Sequence, residues 1–210
     1  MNASARLVIL GLSLGLGACA GSFRSHAPAV DIYTLRGATP AVALRSVDAT
    51  LVIAHPTARP GLDGDAMAVT LPDRRLSAYV GGRWSGPLPR LVEGLLVDGF
   101  RGAGAFHAVV TERSAFGGRY LLQLEIVEFA ADYTTIGVTP TVHVTLAGQL
   151  GISGERRPLA TITGSATAPA TADRQRDVAA AFETAYGAAA AQLIAAVNDA
   201  VLADSAAPRP

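Results

Sequence analysis

The order of elements predicts an α+β domain: a mostly antiparallel sheet with two helices packed on one face. Three observations carry that reading. Thr141 to Ile152 alternates Val142, Val144, Leu146, Leu150 and Ile152 with Thr141, His143, Thr145, Gln149 and Gly151, the period of a strand with one buried and one wetter face. From about Thr171 to Leu202, the residues Val178, Phe182, Ala185, Ala189, Leu193, Val197 and Val201 fall on one side of a long helix, which supplies the cover that strand needs. Most strands are joined by connections too short for crossover helices, which favours antiparallel neighbours.

Taken in order, the chain opens on Arg6 and an apolar run, Leu7 to Leu16, that ends in the small residues Gly17 and Ala18. The run is shorter than the roughly 20 apolar residues a bilayer span needs. Leu16-Gly17-Ala18-Cys19 resembles the bacterial lipobox, in which the cysteine sulfur receives a diacylglycerol and the freed amine a further acyl chain. An ordinary cleaved signal with a chance cysteine is the alternative. Residues 1–18 are thus read as a lipoprotein signal peptide and Cys19 as the lipidated residue, and several chains on one residue anchor durably where one does not. Ala20 follows the cysteine, where an Asp is the usual inner-membrane retention signal of enterobacterial lipoproteins. The inner leaflet of the outer membrane, facing the periplasm, is the expected location.

Residues 19–30 read as a flexible tether, being small, polar and without periodicity. Residues 31–204 read as a single domain. Ile32 to Leu35 and Ala49 to Ala54 are strand candidates, the second stopped by His55-Pro56, and Met67 to Leu71 with Arg75 to Val80 form a hairpin across Pro72-Asp73. Ser85-Gly86-Pro87 starts a helix in which Leu88, Leu91, Val92, Leu95, Leu96 and Phe100 share one face, with Gly102 and Gly104 ending it. Few cations line its other face, so core packing is preferred to a membrane-surface role. Phe106 to Thr111 reads as an edge strand, followed by Tyr120 to Phe129, Thr141 to Ile152 and Pro158 to Ala168. No stretch after the signal is read as a membrane span, and residues 205–210 are read as a disordered tail.

All 17 basic residues are arginine, balanced by 17 acidic ones without a charge block. Nucleic-acid binding, which needs clustered cations, has no support. With the lone cysteine acylated no disulfide can form within the domain, and core burial alone must stabilise it.

Gly11-Leu12-Ser13-Leu14-Gly15 matches the serine nucleophile elbow but falls inside the signal peptide. His26, His55, His107 and His143 lack the paired spacing of a zinc site, and His55 reads as a strand-end residue. Glu125 and Glu128 are expected on opposite faces of one strand, and Asp63 with Asp65 lacks the further ligands of a calcium loop. No catalytic residue, metal site or cofactor beyond the covalent lipid is expected.

The lipobox, Tyr33-Thr34-Leu35, His55-Pro56, Pro60-Gly61-Leu62-Asp63, Trp84-Ser85-Gly86-Pro87-Leu88, Tyr120 to Phe129 and Ala179-Ala180-Ala181-Phe182 together resemble the ABC-type transport auxiliary lipoprotein family, the paraquat-inducible protein C type. The resemblance covers nearly the whole chain after the signal. It implies a non-catalytic α+β lipoprotein serving a mammalian-cell-entry lipid transport system, whose substrate-binding protein, permease and ATPase are other polypeptides and its partners. A homo-oligomer is compatible with it. Where relatives often carry a basic residue after the loop aspartate, this chain has Gly64, Asp65 and Ala66. Trp84, the sole tryptophan, is read either as a core anchor with its indole N–H on a backbone carbonyl or, with Arg83, as a partner contact. Two rival functions stay open. An independent lipid-binding or outer-membrane assembly lipoprotein predicts an apolar cavity between helices and sheet, and a hydrolase needs a pocket gathering a serine with His55, His107 or His143.

Overall fold

The computed structural model describes residues 30–37, 44–135, 137–155 and 158–207; the signal segment, Cys19 and nearly all of the tether lie outside them. The elements are β1 (Asp31–Tyr33), β2 (Val47–Ile53), β3 (Thr57–Ala58), β4 (Ala66–Thr70), β5 (Leu76–Trp84), α1 (Leu88–Ala103), β6 (Phe106–Thr111), β7 (Tyr120–Asp132), β8 (Thr141–Ile152), β9 (Pro158–Pro169) and α2 (Gln175–Ala206).

β7 is the axis of a nine-stranded sheet. Along one edge it pairs with β8 from Tyr120 to Asp132, and β8 pairs in turn with β9. Its other edge is shared in succession by β2, β3 and β4. β6 extends the sheet beyond β2, and β5 then β1 extend it beyond β4. The long ladders, β7 with β8 and β8 with β9, are antiparallel, as the short connections demanded. β2, β3 and β4 dock on β7 in parallel and short registers, so the sheet is mixed.

Both helices cover one face and meet where Gly99 of α1 approaches Ile194 of α2. In β8 the alternation puts Val142, Val144, Leu146 and Leu150 fully inside. α2 lies so close to β9 that a Cβ on Gly164 would stand 2.1 Å from the Ala189 carbonyl oxygen. Small residues on both sides make that approach possible; Ala185 and Ala189 are fully buried beside Phe182 and Leu193. By length and composition α2 is apolar enough to cross a membrane, which its sequence was not expected to be, but just over half of that window is buried against the sheet. It is a core helix.

Four local expectations need correction. α1 buries Glu93 and Val97 while Leu91 and Leu95 are only partly covered, so its inner face is rotated from the one the leucines suggest. Gly102 lies within the helix, and Gly104 alone ends it, in the left-handed conformation at φ 63°. In β7 the register shifts between Ile126 and Glu128; Glu125 then faces Ala147 and Glu128 faces Thr145, two residues on the same side of β8. The extra residue, Val127, thereby brings the two glutamates to one outward face instead of opposite ones. α2 runs through Ala206, two residues into the stretch read as a tail, with Ser205 Oγ bonded to the Val201 carbonyl.

Candidate functional site

Several of the residues singled out in the sequence converge on the start of α1. Backbone N–H groups of Trp84, Ser85 and Leu88 donate to the carbonyls of Asp65, Tyr33 and Gly64 at 2.8, 2.8 and 2.9 Å. β1, the loop before β4 and the helix start are thus tied by main chain. Pro87 contributes no donor, and no side chain caps the helix, so the Gly64 carbonyl takes up the N–H of Leu88.

Beneath this knot Trp84 is 1% exposed. Its ring meets Phe182 edge-on at 5.1 Å and Phe129 at 6.0 Å, and those two stack at 5.0 Å. The partner-contact reading of Trp84 therefore fails, because no partner can reach it. Its indole N–H finds no acceptor among the described residues, so the expected backbone carbonyl is also missing. Arg83, next along the strand, points outward and sits 3.6 Å from Asp65, both half-exposed. Asp65, in the loop before β4, supplies a counter-charge to Arg83. An exposed pair of this kind contributes at most about 1 kcal/mol.

A polar cluster that the sequence did not reveal lies one turn further along α1, on its second turn. Glu93 is 2% exposed on the helix's inner face. His55 Nδ1, just after β2, is 2.6 Å from one carboxylate oxygen, and an Arg113 terminal nitrogen donates to both at 2.9 Å. Burial alone would raise the Glu93 pKa, but the hydrogen bonds from His55 and Arg113 outweigh it and hold the carboxyl below its ordinary range. The signal was available: an acidic residue beside Val92 and one turn before Val97 interrupts an apolar face. His55 is a strand-end residue, as expected, and also the partner of a buried acid. The cluster pins β2, α1 and the segment after β6 together.

The remaining candidates stay apart. His107 on β6 is 3.9 Å from the exposed Asp48, and His143 lies opposite Ala130 on the outer face of β8. Beside His55 the outer face of the sheet forms an open groove of about 560 Å³, lined by Thr57, Glu112, Gln123, Glu125, Gln149 and Thr161 among others, with no serine. Glu125 approaches Arg59 at 4.0 Å there. Among the described residues no three His, Cys, Asp or Glu side chains are placed to hold a metal ion. Cys19 lies outside the described residues.

The arrangement defines a class: a helix-covered mixed sheet whose distinctive residues build the fold, with no nucleophile and base assembled among the described residues. The chain belongs to the family of ABC-type transport auxiliary lipoprotein components, whose model matches residues 33–194, from β1 into α2. Among solved structures it is similar to protein XCC0632 from Xanthomonas campestris, a DUF330 protein, at 26% identity and a TM-score of 0.77, covering 85% of this chain and 100% of that one. It also shares its fold with protein CT253 from Chlamydia trachomatis, at 9% identity and a TM-score of 0.52, over 75% of this chain and 99% of that one. No curated protein matches it in sequence.

Proposed function

We propose that the chain is the non-catalytic, lipid-anchored accessory subunit of an ABC transport system of the mammalian-cell-entry type, moving lipids across the bacterial envelope. The observation that carries the reading is the family match over residues 33–194, which spans the domain from its first strand to its last helix. Leu16-Gly17-Ala18-Cys19 supports an anchor, and Ala20 supports the inner leaflet of the outer membrane. In this reading the domain needs no cofactor besides the lipid on Cys19. Its partners are the substrate-binding protein and the transporter, met through the exposed loops and sheet edges.

The rival, a lipoprotein that carries lipid by itself, asked for an apolar cavity between helices and sheet. Trp84, Phe129, Phe182 and Leu193 occupy that interface, so nothing specific favours it. Palmitate labelling, separation of inner from outer membranes and phospholipid analysis of each test the proposal. Loss of the chain is expected to shift phospholipid between the membranes, with recovery on supplying wild type and none with Cys19→Ala, which also loses the label and leaves the outer-membrane fraction. An unchanged lipid distribution without the chain contradicts the transport role, and full recovery by Cys19→Ala contradicts the anchor.

A further inference from the structure

At the end of the sheet farthest along β7, a groove of about 320 Å³ opens between the β4–β5 hairpin, the segment after β7 and the approach to α2. Val69, Leu71, Ala78 and Val80 give it apolar walls. Its polar floor is a directed chain. Tyr133 Oη donates to Asp173 Oδ1, so the hydrogen shared at 2.5 Å between the two phenols comes from Tyr79. Both hydroxyl hydrogens are thereby committed toward Asp173, so this chain offers the groove acceptors, the Tyr79 oxygen and the carboxylate, while Ser77 on the lining can donate or accept. Burial, and then the carboxylate it serves, raise the Tyr133 pKa, which keeps that phenol a donor.

The carboxylate itself has no cation among the described residues. Arg174 and Arg176, its neighbours in sequence, both turn to Asp177, at 2.6 and 3.8 Å, and among the described residues no guanidinium stands within 4 Å of Asp173. An acceptor-rich floor edged by the exposed Asp173 carboxylate, beside apolar side chains, is complementary to a cation that donates hydrogen bonds and carries a short hydrocarbon stem.

We propose that this groove binds an alkylammonium group, the nitrogen between Asp173 and Tyr79 and the stem along Val69, Leu71 and Val80. Free amines and the headgroup of an aminophospholipid share that chemistry. The inference goes beyond the transport-subunit reading and does not depend on it.

The test is calorimetric titration of the full chain in mild detergent with n-butylammonium and, separately, glycerophosphoethanolamine, using butanol and butyrate as controls. One or both ammonium probes are expected to bind and the controls not. Asp173→Asn is expected to weaken binding about tenfold or more, and Tyr79→Phe severalfold, the scale of one charge-assisted and one neutral hydrogen bond. Val80→Lys, at a side chain 94% exposed, leaves the fold intact and seats a competing ammonium at the groove, so it too is expected to abolish binding. Binding of butylammonium alone assigns the site to free amines, and binding of glycerophosphoethanolamine assigns it to the headgroup. Failure of both probes, or binding unchanged in Asp173→Asn and Val80→Lys, overturns the proposal and leaves the transport role untouched.

Discussion

At Trp84 one residue joins the knot at the start of α1 to the aromatic stack beneath it. Trp84→Ala is expected to cost about 3–5 kcal/mol in urea unfolding, as removal of a large buried ring does; a cost below about 1 kcal/mol contradicts its place in the core. Tyr186 makes the opposite case. Its ring is buried, yet its hydroxyl finds no partner among the described residues. Tyr186→Phe is therefore expected to leave stability unchanged or raise it by up to about 1 kcal/mol. Glu93 links stability to pH. Its folded-state pKa lies below the ordinary 4.5, so the contribution of its cluster is present above that value and lost as the pH falls through the lowered pKa. Glu93→Gln is expected to lose about 1–3 kcal/mol near neutrality, with the gap to wild type closing as the pH falls below the ordinary carboxylate range and through the lowered pKa. A gap that persists at the acid end contradicts the assignment. In the sequence Trp84 stood out because it is unique, but no spacing rule says which way a strand residue next to a helix start will point. The Tyr79, Tyr133 and Asp173 chain left no local trace at all, since its members come from three separate elements.

Among the elements, the strands with clean alternation were legible. β6 and β8 have the bounds that the alternation and turn residues gave them, while β7 and β9 run slightly longer. What was lost is what depends on a neighbour. The extra residue in β7 reverses the side on which Glu128 emerges, and nothing within β7 itself marks Val127 as the one left unpaired. The face of α1 was misplaced because Leu91 and Leu95 count as core by hydropathy, whereas Glu93 is inside only by virtue of His55 and Arg113. The parallel pairings of β2, β3 and β4 with β7 join segments far apart in the chain, and periodicity carries no information on such partners. The tight seat of α2 on β9 makes a prediction at this scale. Gly164→Ala drives a methyl group into the Ala189 carbonyl and is expected to cost about 1–3 kcal/mol or more. Thr163→Ala, on the exposed face one residue away, is expected to stay within about 0.5 kcal/mol of wild type. Equal stability of the two variants in chemical denaturation contradicts that packing.

For the molecule as a whole, the α+β class and the family were readable because the residues that carry the likeness do architectural work. Tyr33, the loop before β4, Trp84 to Leu88 and Phe182 meet around the α1 start and the aromatic stack beneath it. Such a likeness speaks to fold and family and leaves the partner-facing surface unspecified. Of the two residues read as partner contacts, Arg83 is half-exposed and Trp84 is buried. Residue chemistry therefore gives no substitute for finding what the domain holds in the envelope. The central claim, that the chain serves a transporter as an anchored subunit, is tested most directly by mild-detergent affinity purification of wild type and Cys19→Ala from membranes, with mass spectrometry of the proteins and lipids recovered. The account predicts mammalian-cell-entry and ABC components with the acylated wild type and their depletion with Cys19→Ala. Recovery of the wild type alone, with stoichiometric lipid in its domain, would contradict it.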